Sequence, residues 1–148
     1  MAIRKAYSIG FTKHSAEQFF GTLKDAGIKQ LIDIRLNNVS QLAGFTKQND
    51  LRYFLDAICG VSYKHEPLLA PTKEILDDYK KRHSSWQSYE VSFLKLMADR
   101  HIENKIPRSI FDLPTVMLCS EPIAEKCHRR LVLEYLRGKW ADFEITHL

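Results

Sequence analysis

Residues 115–138 have the sequence TVMLCSEPIAEKCHRRLVLEYLRG, and this stretch indicates the class of fold. Its first five residues form a short apolar run that is typical of a strand buried on both faces. From Ser120 or Glu121 to Gly138, apolar residues recur at helical spacing and predict a helix directly after the strand. A buried strand followed by an amphipathic helix is the repeating unit of a parallel α/β sheet.

The same alternation of strand and helix runs through the rest of the chain. Strands are predicted over 6–9, 30–35, 61–65, 115–119 and 143–148. Helices are predicted from 15 to 26, from 49 or 50 to 59, and from 120 or 121 to 137, with two more between 71 and 104. We therefore predict a single α/β domain over residues 1–148, three-layered and doubly wound, Rossmann-like or flavodoxin-like, with a mostly parallel sheet of about five strands.

The composition is that of a soluble globular protein. Of the 148 residues, 45% are hydrophobic and 27% are charged, a balance that excludes a disordered chain. The apolar runs are too short to span a bilayer, and the first 15 residues lack the apolar stretch of a signal peptide. Three cysteines are an odd number and too few for a disulfide scaffold. We therefore expect reduced thiols and a cytoplasmic location.

The chain is mildly basic, with a net charge of +4 and a sequence pI near 9.0. This balance favours anionic partners, but nucleic-acid binding requires the charge to be clustered on one face. The run Lys80-Lys81-Arg82-His83 is interpreted as a solvated helix end. We expect a small anionic ligand, weak nucleic-acid binding at most, and no membrane contact.

Ionisable residues follow the predicted strands at the edge where doubly wound sheets bind ligands. Asp33 lies inside an apolar strand, where a carboxylate needs a partner, and Arg35 lies on the same face of that strand. The two form either a buried structural ion pair or a substrate-binding arginine with its carboxylate. Ser40 follows in the next loop, and the third strand ends in Tyr63 and His65.

The segment after the fourth strand contains the strongest candidates for chemistry. Cys119 is expected where strand meets helix, and a helix N-terminus lowers the pKa of a thiol. Glu121 can act as general acid and base, and Arg129 can bind phosphate or carboxylate through two donors. Cys119 could instead end a buried strand as a small apolar residue. Cys127 is expected to pack in the core, whereas core hydrogen bonding and ligand contact are equal alternatives for His128.

Cofactor and metal motifs are absent from the sequence. No dinucleotide-binding G-x-G-x-x-G, no phosphate-binding P-loop and no G-x-S-x-G motif occurs. Cys119, Cys127 and His128 lack the paired short spacing of a structural zinc site. His65 or His147 could in principle complete a ligand set across the strand ends. We expect neither a metal nor a cofactor.

The chain resembles the family of the domain of unknown function 488 along essentially its whole length. The resemblance rests on short motifs, which are YSIG near the start, IDIR at 32–35, Ser40 with Phe45, Tyr63 and His65, LCSE at 118–121, CHR at 127–129, and Thr146-His147. The chain departs from the family pattern at 10–12, at Asn38 and at 68–70. The resemblance implies a doubly wound α/β fold with the shared residues around one pocket, and it implies no particular reaction.

Two functional hypotheses follow. In the first, a pocket at the strand ends binds a phosphate or nucleotide and the protein is an enzyme that depends on Cys119 and Glu121, with His65 as a further catalytic candidate. The residues that would bind the anion or substrate are Arg35, Ser40, Tyr63, Cys127, His128 and Arg129. In the second, the chain is a non-catalytic module that binds nucleic acid or a protein through its basic surface.

Overall fold

A parallel five-stranded sheet forms the centre of the structure. The computed structural model describes residues 4–36, 44–119, 126–141 and 143–148. The strands are β1 (Arg4–Gly10), β2 (Gln30–Asp33), β3 (Ser62–His65), β4 (Thr115–Cys119) and β5 (Phe143–His147). They lie in the order β3-β2-β4-β1-β5, and all neighbouring pairs are parallel. The predicted parallel sheet is confirmed.

Strand β4 lies at the centre of the sheet, between β2 and β1. All five of its residues are buried, which explains why it is the most apolar strand of the sequence. Its side chains alternate between the two faces of the sheet. Val116 and Leu118 belong to one apolar cluster, and Met117 and Cys119 belong to the other.

Helices cover both faces of the sheet. They are α1 (Ala16–Asp25), α2 (Gln48–Phe54), α3 (Lys73–Lys80), α4 (Trp86–Arg100), α5 (Ile102–Lys105) and α6 (His128–Trp140), and α2 continues as a π-helical turn over Leu55–Cys59. Helices α1 and α2 pack on one face, and α3 to α6 supply the apolar cluster on the other. The predicted three-layer, doubly wound arrangement is confirmed. Within the described ranges, no helix has both the length and the apolarity needed to span a membrane.

Two helix ends follow their local sequence signals. The Ser15 hydroxyl accepts from the backbone N–H of Gln18, and the Gln18 side chain accepts from the backbone N–H of Ser15. This reciprocal pair is the capping box that the S-x-x-Q spacing predicts. Gly60, with a φ of 65°, ends the π-helical turn in the left-handed conformation that glycine adopts without steric cost.

Helix α6 begins later than the sequence predicts. Its first residue is His128, and Cys127 is its N-cap with an extended backbone at φ −140° and ψ 143°. The predicted helix from Ser120 or Glu121 through Cys127 is therefore wrong at Cys127. The apolar spacing continues across this boundary, but Cys127 is bonded to Cys119 at the end of β4 and adopts strand-like torsions. Cys127, rather than Cys119, thus lies at the N-terminus of α6.

Candidate functional site

The strand ends bring ionisable residues to one edge of the sheet. Strand β4 ends at Cys119, beside the end of β1. Asp33 at the end of β2 is aligned with His65 at the end of β3. On the far side, Ser8 of β1 is aligned with His147 at the end of β5. Two polar networks form at this edge, one on each face of the sheet.

The first network is centred on Asp33, on the face covered by α1 and α2. Asp33 is fully buried, and its two oxygens accept from Nε and Nη2 of Arg35, each at 2.8 Å. The Tyr63 hydroxyl donates to Asp33 Oδ2 at 2.6 Å. Arg35 also donates to the carbonyl of Thr46 at 2.7 Å and lies over the Phe11 ring, 5.4 Å from its centroid. The buried ion pair, one of the two alternatives for Asp33 and Arg35, is thus present.

His65 supports the same network through the backbone. Its Nε2 lies 3.0 Å from the carbonyl oxygen of Arg35, and because a carbonyl only accepts, Nε2 carries the proton. Neither His65 nor Tyr63 is among the described residues that line the cavity at this edge. Their described hydrogen bonds hold the Arg35 segment in place.

The second network is centred on Arg129, on the face covered by α6. Arg129 is completely buried and donates from Nε to Ser8 Oγ at 3.0 Å and from Nη1 to Cys119 Sγ at 3.2 Å. Ser8 Oγ is also in hydrogen-bond contact with Nδ1 of His147. Ser8 was not among the predicted site residues. The one feature of the sequence that could have indicated it is the presence of a serine between Tyr7 and Ile9 in an otherwise apolar strand.

Cys119 and Cys127 are joined by a disulfide bond, with their Cα atoms 7.5 Å apart. The prediction of reduced thiols is therefore wrong for these two residues. Their separation of eight positions in the sequence gave no sign of the bond, because the end of β4 and the N-cap of α6 meet only in the folded chain. Cys59 is the remaining thiol, and burial raises its pKa while Lys24 opposes the rise.

His128 stands beside this cysteine pair. Its Nε2 lies 2.7 Å from the carbonyl oxygen of Ile34, so Nε2 donates and Nδ1 is the unprotonated nitrogen of the neutral ring. Nδ1 lies 3.9 Å from Cys127 Sγ. The Nδ1 atom and the two sulfur atoms all lie within 4.8 Å of one another. Core hydrogen bonding, one of the two alternatives for His128, is thus present, and the ring also lines the cavity described next.

A cavity of 340 Å³ opens at this edge of the sheet. One wall is aromatic: the Trp86 and Tyr89 rings stack with centroids 5.0 Å apart, and Tyr79 packs edge-on against Trp86 at 5.6 Å. The exposed Lys80 and Lys126 also line the cavity. No aspartate or glutamate is among its described lining residues.

The remaining wall of the cavity is formed by predicted site residues. Arg35, Cys119, Cys127 and His128 line it, whereas Arg129 lies behind Cys119. Two further candidates, Ser40 and Glu121, lie outside the described residues.

The aromatic wall and Lys80 were not selected from the sequence. Tyr79, Trp86 and Tyr89 have the spacing of ordinary core residues, and only the packing of α3 against α4 turns them toward the cavity. Lys80 was assigned to a solvated helix end. It is indeed exposed, but it also lines the cavity.

We expect His147 to make the protein less stable below about pH 6.5. Burial, then the positive charge of Arg129, lowers the pKa of His147 from its ordinary value of 6.5; Arg130 adds to this, and Glu134 opposes it. The unfolded chain then binds the proton at higher pH than the folded chain does. This contribution to stability is complete above about pH 6.5 and is lost as the pH falls toward the folded-state pKa.

Urea denaturation at about pH 7.5 and 5.5 measures this dependence. The matched variant is His147→Asn, whose amide can donate to or accept from Ser8 Oγ without titrating. The chain contains five other histidines, so the difference between wild type and variant is the relevant quantity. An equal loss of stability in both proteins would contradict the assignment to His147.

Comparison with known families gives one match. The model of the family described as "Domain of unknown function DUF488" matches residues 15–136. No curated protein and no solved structure matches the chain. The matched range includes Asp33 with Arg35, the disulfide, His128 and Arg129, and it excludes Ser8 and His147.

Proposed function

We propose that this chain, which belongs to the DUF488 family, binds a phosphate-bearing small molecule in the cavity at the carboxyl ends of its strands. The observation that carries the proposal is the composition of the cavity: two exposed lysines and an aromatic wall line it, and no carboxylate is among the described lining residues. A site of this kind attracts an anion that also has a planar apolar part.

The lysines supply the charge for the ligand. Arg35 lines the cavity, but Asp33 already neutralises its guanidinium through two hydrogen bonds. Lys80 and Lys126 contribute positive charge from α3 and from the residue before the N-cap of α6. The N-terminus of α6 adds a favourable field, because the aligned peptide dipoles of a helix attract anions at that end.

The aromatic wall supports a nucleotide as the class of ligand. A planar base can stack on exposed aromatic faces, and such stacking contributes about 1–3 kcal/mol per base in nucleic-acid-binding sites. The Trp86 and Tyr89 rings are nearly parallel, at 18°, and both line the cavity. Tyr89 is buried, so the half-buried Trp86 is the ring that would stack on the base. The phosphate would then lie toward the lysines and the N-terminus of α6.

The nucleic-acid-binding alternative has less support. Of the basic run at 80–83, Lys81 pairs with Asp77 at 3.6 Å and Arg82 pairs with Asp78. Both pairs have i,i+4 helical spacing and reduce the positive potential of that surface. A groove that follows a phosphate backbone needs a longer basic stripe than this pairing leaves.

A Cys119-dependent reaction would require an additional step. Cys119 is fully buried and bonded to Cys127, so it can act as a nucleophile only after the disulfide is reduced. Arg129, at 3.2 Å, would then stabilise its thiolate. The binding proposal does not depend on that reaction.

Binding can be followed through the fluorescence of Trp86. The other tryptophan, Trp140, packs against Phe111, and a Trp140→Phe background leaves Trp86 as the single reporter. We expect adenosine monophosphate to change its fluorescence saturably, and adenosine or inorganic phosphate alone to bind more weakly.

Charge removal provides the decisive comparison. Lys80→Gln combined with Lys126→Gln should weaken binding of adenosine monophosphate at least about tenfold, which corresponds to about 1.4 kcal/mol. Lys105→Gln removes the same type of charge from an exposed position in α5 and should leave the affinity unchanged. The proposal fails if wild type shows no saturable binding, or if the double variant binds as tightly as wild type.

A further inference from the structure

We propose that the reduced protein binds a zinc ion through the sulfur atoms of Cys119 and Cys127 and Nδ1 of His128, with a fourth coordination position facing the cavity. This proposal is independent of the phosphate ligand. It rests on the only group of three His, Cys, Asp or Glu side chains with converging ligand atoms in the part of the chain that the structure describes.

The spacing of the three donor atoms suits a tetrahedral ion. Zinc binds thiolate sulfur at about 2.3 Å and imidazole nitrogen at about 2.0–2.1 Å, which places neighbouring donors about 3.5–3.8 Å apart. Cys127 Sγ and His128 Nδ1 are 3.9 Å apart, and all three atoms lie within 4.8 Å of one another. Only the two sulfur atoms must separate when the bond between them is reduced.

The backbone leaves room for that separation. The Cα atoms of Cys119 and Cys127 are 7.5 Å apart, beyond the usual disulfide range of about 4.4–6.8 Å. The sulfur atoms of two thiolates bound to one ion lie farther apart than the two sulfur atoms of a disulfide. The end of β4 and the N-cap of α6 therefore stand at a distance that suits a metal between them.

The groups around the three ligands have the features of an outer coordination shell. The Nε2–H of His128 donates to the Ile34 carbonyl at 2.7 Å, which orients the ring and leaves Nδ1 as the ligand atom. Arg129 donates to Cys119 Sγ at 3.2 Å and would offset the charge of the thiolate. Cys127 is at the N-terminus of α6, where the helix dipole favours a thiolate.

The cavity leaves the fourth coordination position of the ion open. All three ligand residues line the 340 Å³ cavity, and three protein ligands with a vacant fourth position are characteristic of catalytic rather than structural zinc sites. A phosphate or carbonyl oxygen, or a water molecule, could occupy that position. The same three residues were weighed as metal ligands from the sequence and set aside, because the paired short spacing of structural zinc motifs is absent.

Zinc can bind only after the disulfide between Cys119 and Cys127 is reduced. A trialkylphosphine reduces the disulfide: its phosphorus gains an oxygen from water, and the two hydrogens of that water appear on Sγ of Cys119 and of Cys127. Zinc then replaces both thiol protons, which pass to the buffer. No electron transfer accompanies the second step.

Zinc content of the full-length chain tests the proposal. After reduction, incubation with zinc chloride and dialysis, we expect one zinc ion per chain by elemental analysis, and none in the oxidised protein. Cobalt(II) used in place of zinc should give a tetrahedral spectrum with a thiolate-to-metal charge-transfer band. The melting temperature of the reduced protein should also rise with added zinc.

Cysteine variants identify the ligands. Cys127→Ser should weaken metal binding more than about 100-fold, exceeding the 10–100-fold typical of losing an outer-shell partner. Cys59→Ser is the matched control and should bind as wild type does. Absence of stoichiometric zinc from reduced wild type would overturn the proposal and leave a metal-free disulfide. Loss of zinc in Cys59→Ser but not in Cys127→Ser would overturn it equally. Should Cys127→Ser fail to fold, the cobalt spectrum of wild type alone decides whether thiolates bind the metal.

Discussion

Asp33→Ala should lower the free energy of unfolding by about 3–5 kcal/mol, the cost of removing one partner from a buried ion pair. Arg35 is 3% exposed, and both oxygens of Asp33 accept from its guanidinium. Without the carboxylate, a buried cation would keep only weaker partners such as the Thr46 carbonyl and the Phe11 ring. Urea denaturation followed by circular dichroism measures the loss.

Two further variants separate the ion pair from its surroundings. Tyr63→Phe removes only the hydroxyl that donates to Asp33 at 2.6 Å, and should cost about 1.5–3 kcal/mol. The double variant Asp33→Leu with Arg35→Leu should be more stable than Asp33→Ala, because it buries no charge. A loss below about 1 kcal/mol for Asp33→Ala would show that other groups neutralise Arg35.

Phe93→Ala should lower the free energy of unfolding by about 3–5 kcal/mol, the usual cost of removing a buried aromatic ring. Phe93 is fully buried in α4, parallel to the Tyr89 ring at 6.0 Å and 5.5 Å from the His128 ring. The ring therefore joins the aromatic wall of the cavity to the proposed zinc ligand. We expect the variant to weaken zinc binding by the reduced protein as well as stability.

A neighbouring position on the same helix serves as the control for Phe93. Val91 is 69% exposed, and Val91→Ala should change stability by no more than about 0.5 kcal/mol. Equal losses for the two variants would mean that the effect comes from helix propensity rather than from packing at position 93.

The two networks and the cavity lie at the same edge of the sheet. The Asp33 network holds one face of this edge, and Arg129 links Ser8 to Cys119 on the other. Both arginines are buried and hydrogen bonded to protein groups, and their role as anion ligands stays a prediction. The exposed lysines take that role in the function proposed above.

The sequence by itself determined the fold class and the edge at which polar residues gather. Hydrophobic periodicity and helix-capping signals are encoded within a few consecutive residues, and they suffice to predict alternating strands and helices. The link between Asp33 and Arg35 was predictable for the same reason, since side chains two positions apart share one face of a strand. The Ser15 capping box is equally local.

Only the tertiary structure decided which residues meet. Ser8 contacts Arg129 and His147 across 121 and 139 positions of sequence, and no local pattern encodes those contacts. Cys119 meets Cys127 because the N-cap of α6 returns to the end of β4 with an extended backbone, where the apolar spacing predicts uninterrupted helix. The aromatic wall likewise requires the packing of α3 on α4. Such contacts depend on strand order and on the docking of helices, which are properties of the whole chain.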